Sequence, residues 1–277
     1  MKIWAHTIVK NEERYVWFSI MSVIDNVDKV LVYDTGSRDN TVAIVKEIKK
    51  IYPEKIVLKL VGDVNIIEFT QVRQAMLAET KADWFVILDG DEVWWKESIK
   101  NLVNLINKTP KLESVVSKYY ALAGDIFHFQ DEKYGRYQID DRTGHINIRA
   151  MKVSIPGIHF EKPHGQLGVY DEKGVLVQNQ DKKFRRHTDG VSYLHFTNLK
   201  RSAVDSLVPK RSFKFKYILG APFPDDFYYP EVFFVGRPSS VMSPWEKRKA
   251  SYELRARAEY PLRELKSKLP IFNKTGY

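Results

Sequence analysis

Residues 84–92 read Trp84-Phe-Val-Ile-Leu-Asp89-Gly90-Asp91-Glu92, a short apolar run that ends at two acids separated by one glycine. The run has the composition and length of a buried strand, so it predicts a strand with both aspartates at its carboxyl end. Open α/β sheets bind their ligands at that end. The carboxylates offer hard oxygen ligands to Mg²⁺ or Mn²⁺, and the glycine leaves room for diphosphate oxygens. The stretch therefore predicts metal and phosphate binding, although the same tripeptide also occurs in ordinary turns.

Strand and helix patterns alternate along the N-terminal half. Apolar runs at 2–9, 30–33 and 55–61 predict strands, and segments 16–27 and 44–51 place apolar residues at helical spacing. Such alternation is typical of parallel strands joined by helices. The sequence thus predicts an α/β fold with a mostly parallel, Rossmann-like sheet and helices on both faces. The polar loops that follow the strands should gather along one edge of that sheet.

Four motifs occur in order within this half. They are Lys10-Asn11-Glu12, Asp34-Thr-Gly-Ser-Arg-Asp39-Asn-Thr41, Phe69-Thr-Gln-Val-Arg73-Gln-Ala, and the stretch at 84–92. This order resembles the family 2 glycosyltransferases of GT-A fold, close to the small bacterial and viral sugar transferases related to lipopolysaccharide-core glucosyltransferases. The resemblance covers residues 1–95 closely. Weaker similarity follows at Ile148-Arg149-Ala-Met-Lys152 and at Tyr193-Leu-His195-Phe-Thr197.

The resemblance implies a nucleotide-sugar donor, most simply a UDP-sugar. It assigns the following residues to donor binding: Thr7, Asn11, Glu12, Asp34, Asp39, Arg73 and Asp89. Asp34 and Asp39 suit the base and ribose, because ionised carboxylates accept hydrogen bonds from N–H groups and sugar hydroxyls. Arg73 offers a fork of donors to the diphosphate, and Asp89 suits ribose or metal-bound water. Simpler interpretations stay open, since Asp34 and Asp39 also fit an Asx turn and a helix N-cap, and Arg73 a solvated helix residue.

The resemblance also implies a divalent metal, Mn²⁺ or Mg²⁺. It makes Asp91 both a catalytic residue and a metal ligand, and His195 the second protein ligand. A neutral imidazole suits Mn²⁺ better than Mg²⁺. His195 between aromatic residues is equally consistent with a packed strand histidine. The implied reaction is inverting transfer of a sugar from the nucleoside diphosphate to an acceptor hydroxyl.

A carboxylate is needed to deprotonate the acceptor. Family members carry an acid in the loop after the basic strand, often beside a histidine, but here His164 is followed by Gly165. Glu161 is therefore the predicted base on chemical grounds, and Asp140 and Asp141 are rivals. Each of these acids is also consistent with an ordinary loop residue.

Charge is distributed unevenly along the 277 residues. Residues 1–180 carry 24 Lys and Arg against 25 Asp and Glu, whereas 181–277 carry 20 against 10. Basic residues alternate with aromatic ones at 182–186, 200–201 and 210–216, which indicates binding to phosphate-rich polymers or anionic lipid headgroups, or simply solvated faces. We thus predict a catalytic domain at 1–200, with a donor half at 1–95 and an acceptor half at 96–200, and a basic extension at 201–277.

The extension should contain an aromatic, irregular arm and a helix. The arm is predicted at 227–235, packed over the catalytic domain. Ser243-Pro244-Trp245-Glu246 has the pattern of a capping box with proline at the first helical position, so it predicts a basic helix that starts there and is interrupted at Pro261.

Composition excludes several classes of protein. The chain has no cysteine, which rules out disulfides and thiolate metal sites and fits a reducing compartment. No apolar stretch is long enough to span a bilayer, so we expect a cytoplasmic protein, peripheral to the membrane at most. The acceptor, whether a glycan, a lipid-linked sugar, a protein or a nucleic acid, is left open.

Two other functions compete with sugar transfer. A sugar-nucleotide nucleotidyltransferase would share the parallel sheet and metal-bound phosphates, but the chain lacks the glycine-rich, Arg- and Lys-bearing loop after its first strand that such enzymes carry. A basic nucleic-acid-binding or base-modifying protein with a glycosyltransferase-like domain would explain the excess of Lys and Arg in residues 181–277.

Overall fold

A computed structural model of the chain describes residues 1–208, 211, 217–267 and 274–275. The helices are α1 (Val16–Val23), α2 (Thr41–Ile51), α3 (Glu68–Glu79), α4 (Lys96–Lys108) and α5 (Ala250–Ser267). The first strands are β1 (Ile3–Val9), β2 (Lys29–Asp34), β3 (Ile56–Leu60), β4 (Trp84–Ile87), β5 (Glu92–Trp94), β6 (Ser114–Ala123), β7 (Asp125–Phe129) and β8 (Tyr137–Ile139). The remaining strands are β9 (Arg142–Gly144), β10 (Ile146–Lys152), β11 (His159–Glu161), β12 (Gly168–Tyr170), β13 (Arg185–His195), β14 (Ala221–Pro222) and β15 (Lys274–Thr275).

A ten-stranded sheet forms the centre of the molecule, and most of its strands are parallel. Its main order is β14-β7-β6-β10-β4-β1-β2-β3, and β13 and β5 join it beside β6. β3, β2, β1 and β4 are mutually parallel, and β10 is antiparallel to both of its neighbours. β13 runs parallel to β6. The predicted α/β class with a mostly parallel sheet is confirmed.

Helices cover both faces of the sheet, because the apolar side chains of its strands alternate between them. Ala5 and Val9 of β1 face the main core, which α1, α2 and α4 also line. Ile8 faces the opposite side, where it packs with Val72 and Met76 of α3. The packed strands and helices of the N-terminal half therefore fix the positions of the loops after β1, β2 and β4 relative to one another.

The segment at 217–245 is irregular and packs on the catalytic domain. Phe233 is 3% exposed, and its ring lies 5.1 Å from that of Phe18 in α1. The ring of Trp245 packs against that of Phe233, with 5.8 Å between the ring centres. These aromatic contacts bury an arm that has little regular structure, as the sequence predicts. The division into domains at residue 200 stays a prediction.

Helix α5 differs from the prediction in where it begins and in how it passes Pro261. Ser243 Oγ accepts a hydrogen bond from Trp245 N at 3.3 Å, so this stretch forms a tight turn, and the helix begins only at Ala250. The helix then continues through Pro261. The predicted start and the predicted interruption are both wrong. An exposed helix tolerates the proline because water can solvate the carbonyl group that loses its partner.

Among the residues that the structure describes, no helix combines the length and apolarity needed to cross a membrane.

Candidate active site

The carboxyl ends of β1, β2 and β4 lie side by side, because these strands are parallel neighbours. These strand ends and the loops after them hold Glu12, Asp34 and Asp91, which are all buried. The chain then enters β5, which pairs with β13 so that Glu92 lies opposite His195. This pairing brings a histidine from far along the sequence to the acids that follow β4.

Asp89 lies between two arginines. Arg73 Nη2 donates to Asp89 Oδ1 at 3.0 Å, and Arg149 Nη1 lies 3.5 Å from Asp89 Oδ2. Burial opposes ionisation of Asp89, but Arg149 and Arg73 lower its pKa below the ordinary value. Arg73 is only 1% exposed, so its interpretation as a solvated helix residue is wrong. The arrangement leaves an ionised, partly exposed carboxylate beside two cations.

Asp91 contacts both a histidine and an arginine. Its Oδ2 lies 3.6 Å from His195 Nε2 and accepts a hydrogen bond from Arg201 Nη1 at 2.7 Å. Burial opposes ionisation, and Arg201 and His195 nevertheless hold the pKa of Asp91 well below its ordinary value. The predicted partners Asp91 and His195 are thus adjacent, and an arginine that the sequence did not identify binds the same oxygen.

Glu92 and Arg149 form a buried ion pair behind these acids. Arg149 Nη2 donates to Glu92 Oε1, and Arg149 Nε donates to Tyr193 Oη at 2.9 Å. Glu92 is fully buried and Arg149 is 1% exposed. Removing one member of such a pair typically costs about 3–5 kcal/mol because the other charge is left without compensation. The sequence contained both residues within its motifs but gave no sign that they would meet.

The acids and His195 fit a divalent cation by chemistry and spacing. Asp89, Glu92 and His195 each offer a ligand atom, and these atoms lie within 4.8 Å of one another. Among the described residues His195 Nδ1 has no hydrogen-bond partner, and the ring packs edge-on against Tyr119 at 5.1 Å. Carboxylate oxygens with one imidazole nitrogen suit Mn²⁺. Of the predicted metal ligands, this cluster contains His195 but not Asp91, and it adds Asp89 and Glu92, although Arg149 already binds the Glu92 carboxylate.

The loops after β1 and β2 are joined through side chains. Asn11, which has φ 54°, donates its N–H to Ser37 Oγ at 2.9 Å and accepts from Arg38 N at 2.7 Å. Asp34 Oδ1 accepts from Ser37 N at 3.1 Å. Asp39 Oδ1 accepts from Thr41 N at 2.9 Å, at the start of α2. The turn at Asp34 is therefore formed, whereas the N-cap position of α2 is Asn40 and not Asp39. The roles of both aspartates toward a nucleotide stay predictions.

Thr7 and Glu12 lie deeper in the same region. Thr7 in β1 is fully buried, and its Oγ1 has no hydrogen-bond partner in the described part of the chain. Glu12 Oε1 lies 3.0 Å from Arg201 Nη1 and 2.5 Å from Arg211 Nη2. Burial raises the pKa of Glu12 to about 8, against the effect of Arg201 and Arg211. Arg201 thus contacts both carboxyls, Asp91 at 2.7 Å and Glu12 at 3.0 Å.

Arg201 and Arg211 are the residues that sequence reasoning missed. Both belong to basic clusters interpreted as surface features, yet they are 9% and 5% exposed. Arg211 Nη1 donates to Asn11 O at 2.6 Å and to Asp205 Oδ1 at 2.9 Å. The segment after β13 thus returns to the loop after β1 and delivers two guanidinium groups. Nothing in a short basic run distinguishes an arginine that points inward from one in solvent.

The candidate bases lie in different surroundings. Glu161 of β11 has a 54% exposed side chain, and its carboxylate lies 3.5 Å from His159 Nε2. Asp140 binds Arg185 and accepts from His187 at 3.0 Å. Asp141 is exposed on the same turn. Asp140 is therefore already engaged by two basic groups, whereas Glu161 is accessible, and its catalytic role stays a prediction.

Comparison with solved structures finds several nucleotide-sugar enzymes. S. aureus TarS 1–349 in complex with UDP-GlcNAc is 15% identical, with a TM-score of 0.47 over 73% of this chain and 60% of that one. The mannosyltransferase PcManGT from Pyrobaculum calidifontis, in complex with GDP-Man and Mn²⁺, is 16% identical, with a TM-score of 0.39 over 55% of this chain and 44% of that one.

Sequence comparison gives a relative and a family. A TPR repeat-containing protein of Synechococcus elongatus is 26% identical over 178 residues, which are 64% of this chain and 38% of that protein. The chain thus spans well under half the length of this curated relative. The family model described as glycosyl transferase family 2 matches residues 5–162, more than half of the chain. This protein therefore belongs to glycosyl transferase family 2, as the order of its motifs predicts.

Proposed function

We propose that this protein transfers a sugar from a nucleoside-diphosphate sugar, a UDP-sugar, to an acceptor hydroxyl, with the help of a divalent cation. The observation that carries the proposal is the cluster of Asp89, Glu92 and His195 at the carboxyl edge of the sheet, with Asp91 3.6 Å from His195. Family membership supports sugar transfer over nucleotidyl transfer and over nucleic-acid binding.

The arginines of the site suit the leaving group. When the bond between the anomeric carbon and the phosphate oxygen breaks, negative charge develops on the nucleoside diphosphate. Arg73 and Arg201 hold guanidinium groups at the acids, and in both residues Nε has no hydrogen-bond partner among the described residues. Preorganised cations of this kind stabilise developing charge without reorganisation. A divalent ion held by Asp91 and His195, with Asp89 beside it, would supply further charge stabilisation when bound.

The acceptor must lose a proton as it attacks. In the proposed inverting reaction its oxygen forms the new bond to the anomeric carbon while the diphosphate departs from the opposite side. Glu161 accepts the acceptor's proton, since its carboxylate is exposed, whereas that of Asp140 is bound by Arg185. Asp34 and Asp39 are proposed to orient the base and ribose, together with Thr7, Asn11 and Glu12 around the same loops.

Release of nucleoside diphosphate tests the reaction. We expect one member of a panel of UDP-glucose, UDP-N-acetylglucosamine and GDP-mannose to be hydrolysed slowly with Mn²⁺. Asp91→Asn should lower that rate by about 100-fold or more, while Glu97→Gln, which alters an exposed acid on α4, should leave it unchanged. Hydrolysis that is equal in wild type and Asp91→Asn would refute the assignment.

A second pair of variants tests the base once an acceptor is found. Glu161→Gln should lower transfer by roughly 10²–10⁴-fold, with less effect on donor hydrolysis. Glu172→Gln changes another exposed acid and serves as the control. A loss in Asp140→Asn with none in Glu161→Gln would move the role to Asp140.

A further inference from the structure

A cavity opens beside the candidate active site. It has a volume of about 450 Å³ and lies between the end of β6, the loop after β1 and the start of α5. Arg14 contributes from the loop after β1, Lys200 from the segment after β13, and Lys247 and Lys249 from the approach to α5. Because β1, β6 and β13 run in the same direction, these parts meet at the edge of the sheet that also holds Asp91.

The cavity carries an excess of positive charge. Six basic side chains line it against two acids, Asp125 and Glu246. Glu246 pairs with Arg14, and Asp125 Oδ2 accepts from Arg248 N at 3.0 Å. In the described part of the chain, the three lining lysines at 200, 247 and 249 have no acidic partner. Like charges collected around a concave surface attract anions more strongly than the same charges on a flat one.

The wall of the cavity is held by specific contacts. The Tyr252 ring lies so close to Gly124 that a Cβ there would come within 2.5 Å of it. Tyr252 Oη also accepts from Ile218 N at 3.0 Å. Arg255 lies over the Tyr217 ring at 3.9 Å. Packing at a glycine with φ 83° thus fixes the tyrosine, so the cavity has a defined shape.

The cavity is also close to the site of transfer. Arg14 N donates to Arg201 O at 3.1 Å, and the Arg201 side chain contacts Asp91 at 2.7 Å. Lys200 is the residue before Arg201. A group bound in the cavity would thus lie near the acid cluster but outside it.

We propose that this cavity binds a phosphate group of the acceptor. The inference rests on the proposed glycosyltransferase function and adds the chemical class of its acceptor. A phosphate fits because lysines act as point charges for its oxygens, and because a multiply charged anion offsets several uncompensated cations at once. The remaining volume accommodates the part of the acceptor that carries the hydroxyl.

Inorganic phosphate is the probe for the first test. Its affinity is measured by calorimetry for wild type, for the double variant Lys200→Gln with Lys249→Gln, and for a control with Lys49→Gln and Lys50→Gln. The control lysines are exposed on α2, so both double variants lose the same charge. We expect about tenfold weaker binding in the cavity variant alone. Equal affinities in the two double variants would overturn the proposal.

Repeating the titration with saturating UDP and Mn²⁺ separates the two sites. Phosphate binding that persists supports a separate cavity, and phosphate binding that UDP abolishes overturns it. The lysine comparison does not depend on donor chemistry. Lysine-dependent phosphate binding without hydrolysis of any nucleotide sugar would therefore refute the proposed function and leave the anion site standing.

Vesicles identify the source of the phosphate. Sedimentation with phosphatidylglycerol vesicles is compared with phosphatidylcholine vesicles at the same salt concentration. Binding to the anionic vesicles that the cavity variant loses and the control retains indicates a lipid-linked phosphate. Phosphate binding without vesicle binding indicates a soluble phosphorylated acceptor, and either result supports the site.

Discussion

Arg201 is expected to compete with the divalent cation for Asp91. The Asp91 oxygen that faces His195 is Oδ2, and Arg201 Nη1 occupies it at 2.7 Å. A cation held by Asp91 and His195 must therefore displace the guanidinium or share the oxygen with it at a cost in repulsion. Arg201→Gln removes this competitor, so we predict tighter binding of Mn²⁺ to the protein without nucleotide.

The size of the effect follows from the contact that is removed. A hydrogen bond between charged groups contributes about 1.5–3 kcal/mol, and each 1.4 kcal/mol is a factor of ten, so affinity should rise by about 10- to 100-fold. With UDP present the gain should shrink or reverse, because Arg201 then has the diphosphate to contact. Calorimetry or Mn²⁺ electron paramagnetic resonance measures both cases.

Arg211→Gln is the matched control. Arg211 is as deeply buried and contacts Glu12 and Asp205, but it does not contact Asp91. It should change the affinity for Mn²⁺ much less than Arg201→Gln does. A folded Arg201→Gln variant that binds Mn²⁺ no more tightly than wild type would refute the competition, and circular dichroism establishes that the variant is folded.

Three further predictions concern stability. Glu92→Gln leaves buried Arg149 with only the longer contact to Asp89 and should lower the free energy of unfolding in urea by about 3 kcal/mol, whereas Glu97→Gln on the exposed face of α4 should change it by less than about 0.5 kcal/mol. Burial, aided by Arg73, lowers the pKa of His6 to about 3. The unfolded chain therefore binds the proton more readily than the folded one. The free energy of unfolding is unaffected by His6 above pH 6.5 and falls as the pH drops, by about 2 kcal/mol at pH 5. His6→Gln should flatten that part of the stability profile, and an unchanged profile would show that another group titrates. Trp245→Ala should lower the unfolding free energy by about 2 kcal/mol, since its ring packs on Phe233, and no loss would place the arm outside the cooperative fold.

The N-terminal half was predictable because its signals are local. Apolar runs that stop at acids predicted the strands, and parallel pairing then required Asp34 and Asp89 to lie at one edge. The burial of Arg73 was less visible, because α3 has an apolar side formed by few residues such as Met76. Its guanidinium is drawn inward by Asp89, a partner 16 residues away.

The rest of the site depends on contacts that no local pattern encodes. Arg201 meets an acid 110 residues earlier in the chain, and Arg211 meets one 199 residues earlier. A basic run has the same spacing whether its arginines are solvated or buried. The predicted start of α5 was wrong for a related reason. Ser243 has the chemistry of a helix cap, but the Trp245 ring packs against Phe233. Tertiary contacts decided both cases.

The order in which the ribosome makes these partners matters for the newborn chain. Asp91 precedes Arg201 by 110 residues, so at roughly 5–20 residues per second its counter-charge emerges roughly 5–20 s later. Until then, burying the carboxylate would leave a charge without compensation, and water remains its better environment. We therefore expect the loops around Asp91 and Glu12 to stay open on the nascent chain until Arg201 and Arg211 have been made. An interrupted translation product would bear the acidic motif without the arginines that complete it.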